Sequence, residues 1–208
     1  MKGVGSRERG WGESFPDEPA RERIERSAAR LYAIRGFDGT SMREIAEAAG
    51  VTKPLVYYHF ESKEALFGGL LLSAIDECHA RLWAAGQAGD PRERLRDLLS
   101  TQVDLARREP EIYSFVHATL TMPRLLPLGF DYRGEGQKLL DPFRSVVREG
   151  QAAGMFRPID PDLFVLTALA ALEIYVADVL SGAREDIPQD LEESLYDLLM
   201  RGLEVSKA

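Results

Sequence analysis

TSMREIAEAAGVTKPLVYYHFESK, residues 40–63, reads as two short helices joined by a tight turn and followed by the start of a third. Ser41 with Glu44 three residues later is a capping box, in which side chain and backbone satisfy each other's orphan groups at a helix start. The helix expected from it covers 42–49. Its apolar residues Met42, Ile45, Ala46 and Ala49 recur at three- and four-residue spacing and face a small core, while Arg43, Glu44 and Glu47 stay wet. Gly50 stops the helix by accepting the left-handed conformation at little steric cost, and Val51 plugs the turn. Thr52 is the expected N-cap of a second helix of about two turns, KPLVYYHF, with Pro54 in its first turn where a missing N–H costs little. Val56 and Phe60 form its core-facing pair. Lys53, Leu55, Tyr57, Tyr58 and His59 are left on the outside, an aromatic surface for a solvated face.

A helix, a glycine-containing turn and a second helix make the helix-turn-helix arrangement, whose second helix enters the DNA major groove by its N-terminal part. Lys53 and the positive end of the helix dipole suit phosphate, as do the Tyr57 and Tyr58 hydroxyls and the His59 imidazole. Leu55 suits a thymine methyl. Over residues 20–68 the segments AARLYAIRGFDGTSMREIAEAAGV and TKPLVYYHFESKEALF resemble the DNA-binding domain of the TetR family of transcriptional regulators. The resemblance implies a dimeric, mostly repressing regulator that a small molecule releases from double-stranded DNA, and the two-fold symmetry of such a dimer is expected to be mirrored in a roughly palindromic operator. It places the DNA-contacting positions on Ser41, Arg43, Thr52, Lys53, Pro54, Leu55, Tyr57, Tyr58, His59 and Lys63. Glu61 departs from the family's neutral or basic preference and weakens phosphate attraction beside Lys63.

Charge is distributed in keeping with that role. The 208-residue chain has a net charge of −8, which is unusual for a DNA binder. Residues 20–68, however, hold eight Arg or Lys against seven acids, whereas residues 69–208 hold fifteen against twenty-three. An acidic body limits non-specific DNA binding while local cations supply a salt-dependent attraction. Residues 1–19, with Gly3, Gly5, Gly10, Gly12, Pro16 and Pro19, form no periodic apolar face and are expected to be a flexible arm in which Lys2, Arg7 and Arg9 are the cations. From Ala20 a helix carries Ile24, Ala28, Leu31 and Tyr32 on one stripe and ends at Gly36, completing a three-helix domain over 20–68.

The remainder, 69–208, is expected to be a helical effector-binding and dimerisation domain, giving an all-α fold of about nine helices. Ser62 caps a long helix running to Gly86 that links the two halves. Asp90-Pro91-Arg92-Glu93 starts the next, and Pro110 opens another. Residues 121–136, TMPRLLPLGFDYRGEG, are expected to be the longest irregular loop. Leu139 to Val147 mark a further helix ending near Gly150, and Asp160-Pro161 caps the one after it. That helix, 161–180, is apolar on nearly every side, so it must be covered on every side. Glu173 and Asp178 argue against a membrane span, since each carboxylate costs about 2.5–3.5 kcal/mol at a bilayer centre. A homodimer built from 161–180 and the Leu-striped last helix, 189–205, is the better account.

The sequence carries no phosphate-binding glycine loop and no paired metal-ligand motif. Its three histidines, His59, His79 and His117, are far apart, and its single cysteine, Cys78, excludes a disulfide framework. No catalytic residue, metal site or cofactor is therefore expected, and without an N-terminal apolar run the natural home is the cytoplasm. For the unknown small-molecule effector, Trp83, Tyr113, His117, Met122, Phe130, Phe143 and Tyr175 are the candidate lining. They combine apolar walls with a few polar groups on different helices, and binding among them is expected to tilt the long helix from Ser62.

Overall fold

Local signals in the chain set most of the helix limits. The computed structural model describes residues 19–121 and 132–203, and among them there is no strand. The N-terminal unit is α1 (Ala20–Arg35), α2 (Met42–Ala48) and α3 (Lys53–His59). The linking helix is α4 (Lys63–Ala85). The body continues with α5 (Pro91–Arg108), α6 (Pro110–Thr121), α7 (Tyr132–Gln137), α8 (Asp141–Ala152), α9 (Pro161–Ser181) and α10 (Leu191–Leu203). A 3-10 turn, Lys138–Leu140, joins α7 to α8 without a loop.

The caps follow the side chains. Ser41 accepts from the Glu44 backbone N–H while the Glu44 carboxylate accepts from the Ser41 N–H at 2.8 Å, and Asp90 with Glu93 closes the same box on α5. Ser62 accepts from the Ala65 N–H at 3.0 Å, and Asp160 accepts from that of Asp162. Gly36 at φ 70° and Gly50 at φ 63° supply the left-handed bends after α1 and α2. Thr52 departs from expectation. Its backbone is extended, but its side chain makes no capping bond, because Pro54 and the turn itself already fix the start of α3.

Two further expectations are corrected. Part of the supposed loop 121–136 is helical: Tyr132–Gln137 forms α7 despite Gly134 and Gly136, packed against α6 and α4 and running straight into the 3-10 turn. Tertiary contact here overrides weak intrinsic propensity. Phe60, expected inside α3, is instead its C-cap in extended conformation, half-buried beneath the Arg21 guanidinium 5.2 Å from the ring centroid. The N-terminal arm, with Lys2, Arg7 and Arg9, lies outside the described residues.

The apolar core is continuous from the N-terminal unit into the body. Tyr32 of α1, Phe37 of the α1–α2 turn, Phe67 of α4 and Phe115 of α6 meet at its waist. Phe67 packs edge-on against Tyr32, Phe37 and Phe115 with ring centroids 4.8, 5.2 and 5.2 Å apart. Packing of this geometry contributes beyond area burial. It also means that α4 is not the sole link between the halves, since α6 packs along α1 and adds an Arg30–Glu111 ion pair at 3.6 Å.

In the body, α9 buries Phe164, Val165, Ala168, Leu169, Leu172 and Val176 against α5, α6 and α8. The opposite side of the same helix carries Leu163, Leu166 and Ile174 in the open, Ile174 at 64% exposure, and α10 exposes Leu198 at 69%. Long enough and apolar enough to cross a membrane by composition, α9 nevertheless has one face built into the core.

Candidate DNA-reading face and effector site

The turn between α2 and α3 is locked by its own backbone: the Gly50 N–H donates to Glu47 O at 3.2 Å and the Val51 N–H to Ala46 O at 3.0 Å. Arg23 of α1 donates to the Ala49 carbonyl at 3.1 Å, and Arg35 pairs with Glu44 at 3.0 Å, so α1 holds α2 at two points. Glu44 is already engaged by the Ser41 hydroxyl, whose hydrogen bond holds its carboxyl below the usual range.

On α3 only Val56 is fully buried. Lys53, Pro54, Tyr57 and Tyr58 are exposed, Tyr57 at 46% and Tyr58 at 81%, while Leu55 and His59 are half-buried. The ammonium of Lys53 lies 5.7 Å from the Tyr57 ring centroid, and the Tyr58 and His59 rings stack edge to face at 5.1 Å. Ser41, Arg43 and Thr52 are exposed beside them; Arg43 makes only a surface pair with Glu47 at 3.6 Å. Lys63 differs, because its Nζ sits 4.0 Å over the Phe37 ring, which fixes the charge at the start of α4. Of the expected DNA-contacting residues, Ser41, Arg43, Thr52, Lys53, Pro54, Tyr57 and Tyr58 are thus exposed, and Leu55, His59 and Lys63 are half-buried.

The expected effector residues do not all meet. Met122 and Phe130 lie outside the described residues. Trp83 is 47% exposed and rests against His79. Its neighbour Leu82 ends the inward stripe of α4, and one residue further is a turn of about 100° towards solvent. Tyr175 is half-buried with the Arg184 guanidinium 4.9 Å from its ring, and Phe143 is wholly enclosed in the α8 core.

Tyr113 and His117 do come together, buried one turn apart on α6 with rings edge to face at 4.0 Å. Around them the fold gathers polar groups that the sequence did not single out as a site. Gln102 of α5 lies 3.3 Å from His117 Nε2, and the Ser114 hydroxyl donates to Glu173 of α9 at 3.1 Å. Burial drives the His117 pKa down to about 3, so the imidazole is neutral. Desolvation raises the Tyr113 phenol well above its ordinary value, with Glu173 and Cys78 adding to the rise. Burial also raises Glu173, against the opposing hydrogen bond from Ser114. Glu173 was visible in the sequence as an interruption of an apolar helix, and Gln102 as a polar residue within an apolar stripe; neither carries a motif.

Comparison with known proteins bears on both regions. The model for bacterial regulatory proteins of the tetR family matches residues 24–70, α1 through the first turns of α4. The transcriptional repressor KstR2 of Mycolicibacterium smegmatis is 29% identical over 154 residues, covering 71% of this chain and 74% of that protein. The transcriptional regulator RutR of Escherichia coli O157:H7 is 27% identical over 150 residues, covering 72% and 70%. Among solved structures, the TetR family regulator PfmR of Thermus thermophilus superposes with a TM-score of 0.69 at 27% identity, covering 91% of this chain and all of that one.

Proposed function

We propose, from the premise that this chain belongs to the TetR family of DNA-binding transcriptional regulators, that it is a cytoplasmic homodimeric repressor released from a palindromic operator by a small, mostly apolar effector. It acts by binding rather than by turnover. The observation that carries the reading is α3, which keeps Val56 for the core and leaves Lys53, Pro54, Tyr57 and Tyr58 uncovered beside an anchored turn. A soluble helix has no packing reason to expose two adjacent tyrosines, whereas a groove-reading helix uses them on phosphate and sugar. Residues 20–68 act as the reading domain and 69–208 as the effector and dimerisation domain. Lys53, Tyr57, Tyr58, His59 and Lys63 position the protein on the backbone, with Ser41, Arg43, Thr52 and Pro54 flanking them, and Leu55 reads a base edge.

The dimer is formed by α9 and α10. Their exposed Leu163, Leu166, Ile174 and Leu198 would otherwise leave an apolar face in water, and two helices from each protomer close an isologous interface. Selection of duplexes from a random pool by the purified protein tests the reading. The expected result is an inverted repeat bound with a steep salt dependence; retention of no sequence above background at low salt overturns it.

A further inference from the structure

The middle of the body contains a polar cluster that four helices build and that the core does not fully satisfy. Cys78 comes from α4, Gln102 from α5, Tyr113, Ser114 and His117 from α6, and Glu173 from α9. Neighbouring buried positions on the same helices are apolar, among them Ala74, Val103, Val116 and Leu172. Ser114 occupies one oxygen of Glu173, and Gln102 accompanies His117. The phenolic oxygen of Tyr113, a fully buried residue, and the Glu173 Oε2 atom are shielded from water with no hydrogen-bond partner. Buried polar atoms in folded proteins nearly always have partners, so two facing the same region are a specific demand.

The charge of that demand has a sign. Among the described residues no cation pairs with Glu173, and the one histidine in the cluster stays neutral. Burial disfavours the charged form of Glu173 as long as no cation stands beside it; a cation brought here restores the carboxylate, whereas an anion drives it further from ionisation. A hydroxyl could donate one hydrogen bond but would bring no charge to hold Glu173 in its carboxylate form. An ammonium group supplies both the countercharge and several donors.

We propose that Glu173 and Tyr113 are the head-group site of the effector, and that the effector is a protonated amine on an apolar body. The Glu173 carboxylate takes the charge, the Tyr113 hydroxyl accepts a second N–H, and the apolar residues of α4, α5, α6 and α9 cover the rest. The assignment rests on the reading that the body domain receives an effector. It adds which face of α6 listens: Tyr113 and His117 point to the cluster, whereas Glu111 and Phe115 hold α1.

The test uses the full-length dimer and three probes of equal chain length, n-octylamine, octan-1-ol and octanoate, titrated by calorimetry at neutral pH below their aggregation limits. Octylamine is expected to bind about tenfold or more tighter than octanol, with octanoate weakest. Glu173→Gln is expected to erase the preference for the amine while leaving octanol binding in place, and Tyr113→Phe to weaken the amine alone. Octanoate binding as tightly as octylamine, binding of none of the three, or a preference that survives Glu173→Gln overturns the assignment. Operator affinity is measured in parallel by fluorescence anisotropy. Octylamine bound through Glu173 without any change in operator affinity supports the head-group site and sinks release by effector. Operator released equally by octanoate leaves the repressor reading standing and sinks the amine.

Discussion

Replacing Gly150 with alanine sets two physical effects against each other, and the structure says which wins. In a helix interior the change ordinarily stabilises by about 0.5–1 kcal/mol, through the lower entropy of the unfolded chain. Gly150 lies in the last turn of α8, where a Cβ would run into the edge of the Phe156 ring and come within 2.9 Å of its Cγ. The ring cannot swing away easily. Phe156 is buried, and both its own N–H and that of Met155 donate to the Gly150 carbonyl, at 3.1 and 2.9 Å. Overpacking of this kind costs about 1–3 kcal/mol, so Gly150→Ala should lower stability by about 1–2 kcal/mol. Phe156→Ala alone should cost about 3–5 kcal/mol. The double variant removes the clash, so it should be more stable than the two single losses added together. The matched control is Gly69→Ala in α4, an exposed helical position with nothing within 4 Å of the new Cβ, which should gain about 0.5–1 kcal/mol. Urea unfolding at one fixed protomer concentration measures all four variants. A Gly150→Ala protein as stable as the parent would refute the packing argument.

Other consequences can be checked separately. Ile174→Arg places a charge in the uncovered face of α9 and should shift the protein to monomer in sedimentation equilibrium while far-ultraviolet circular dichroism is kept; an unchanged dimer would move the interface elsewhere. Lys53→Ala should reduce the magnitude of the slope of log affinity against log salt by about one unit, whereas Leu55→Ala should reorder preferences among operator variants. His117 makes stability depend on pH. Its pKa is about 3 when folded and near 6.5 when unfolded, so between those values the unfolded chain binds the extra proton. The native state then loses about 1.4 kcal/mol for each unit of acidification from this one residue. A non-titrating His117→Asn protein should show a flatter stability profile from pH 6.5 to 4, and parallel profiles would remove His117 as the cause.

What the sequence made readable follows the range of the interaction. Capping boxes at Ser41 and Asp90 and the glycine bend after α1 act over three or four residues, and the structure has them where the residues stand. The outward turn of Lys53, Pro54, Tyr57 and Tyr58 was legible for the same reason, since the core-facing Val56 sets the register of a two-turn helix, whereas Leu55 and His59, expected outside, are half-buried. Helix α7 was not, because Gly134 and Gly136 argue for a loop until α6 and the following 3-10 turn are packed against it. The buried cluster was legible only in fragments. Tyr113 and His117 could be picked out as aromatic and polar residues of α6, but Ser114 and Glu173 stand 59 positions apart, and only the register of α6 against α9 brings them together. The same sensitivity to register turned Trp83 outward beside an inward Leu82.

The burial of Cys78 decides what kind of news this regulator can hear. It is the only sulfhydryl in the chain, enclosed on α4 with its pKa pushed up to about 12, so almost none of it is thiolate at neutral pH. Thiol-directed oxidants and disulfide reagents attack the thiolate, which leaves them little handle on Cys78 and no second cysteine in the same chain to resolve against. A signal carried by thiol oxidation should therefore pass this protein by, its operator occupied through a challenge with a disulfide reagent as before.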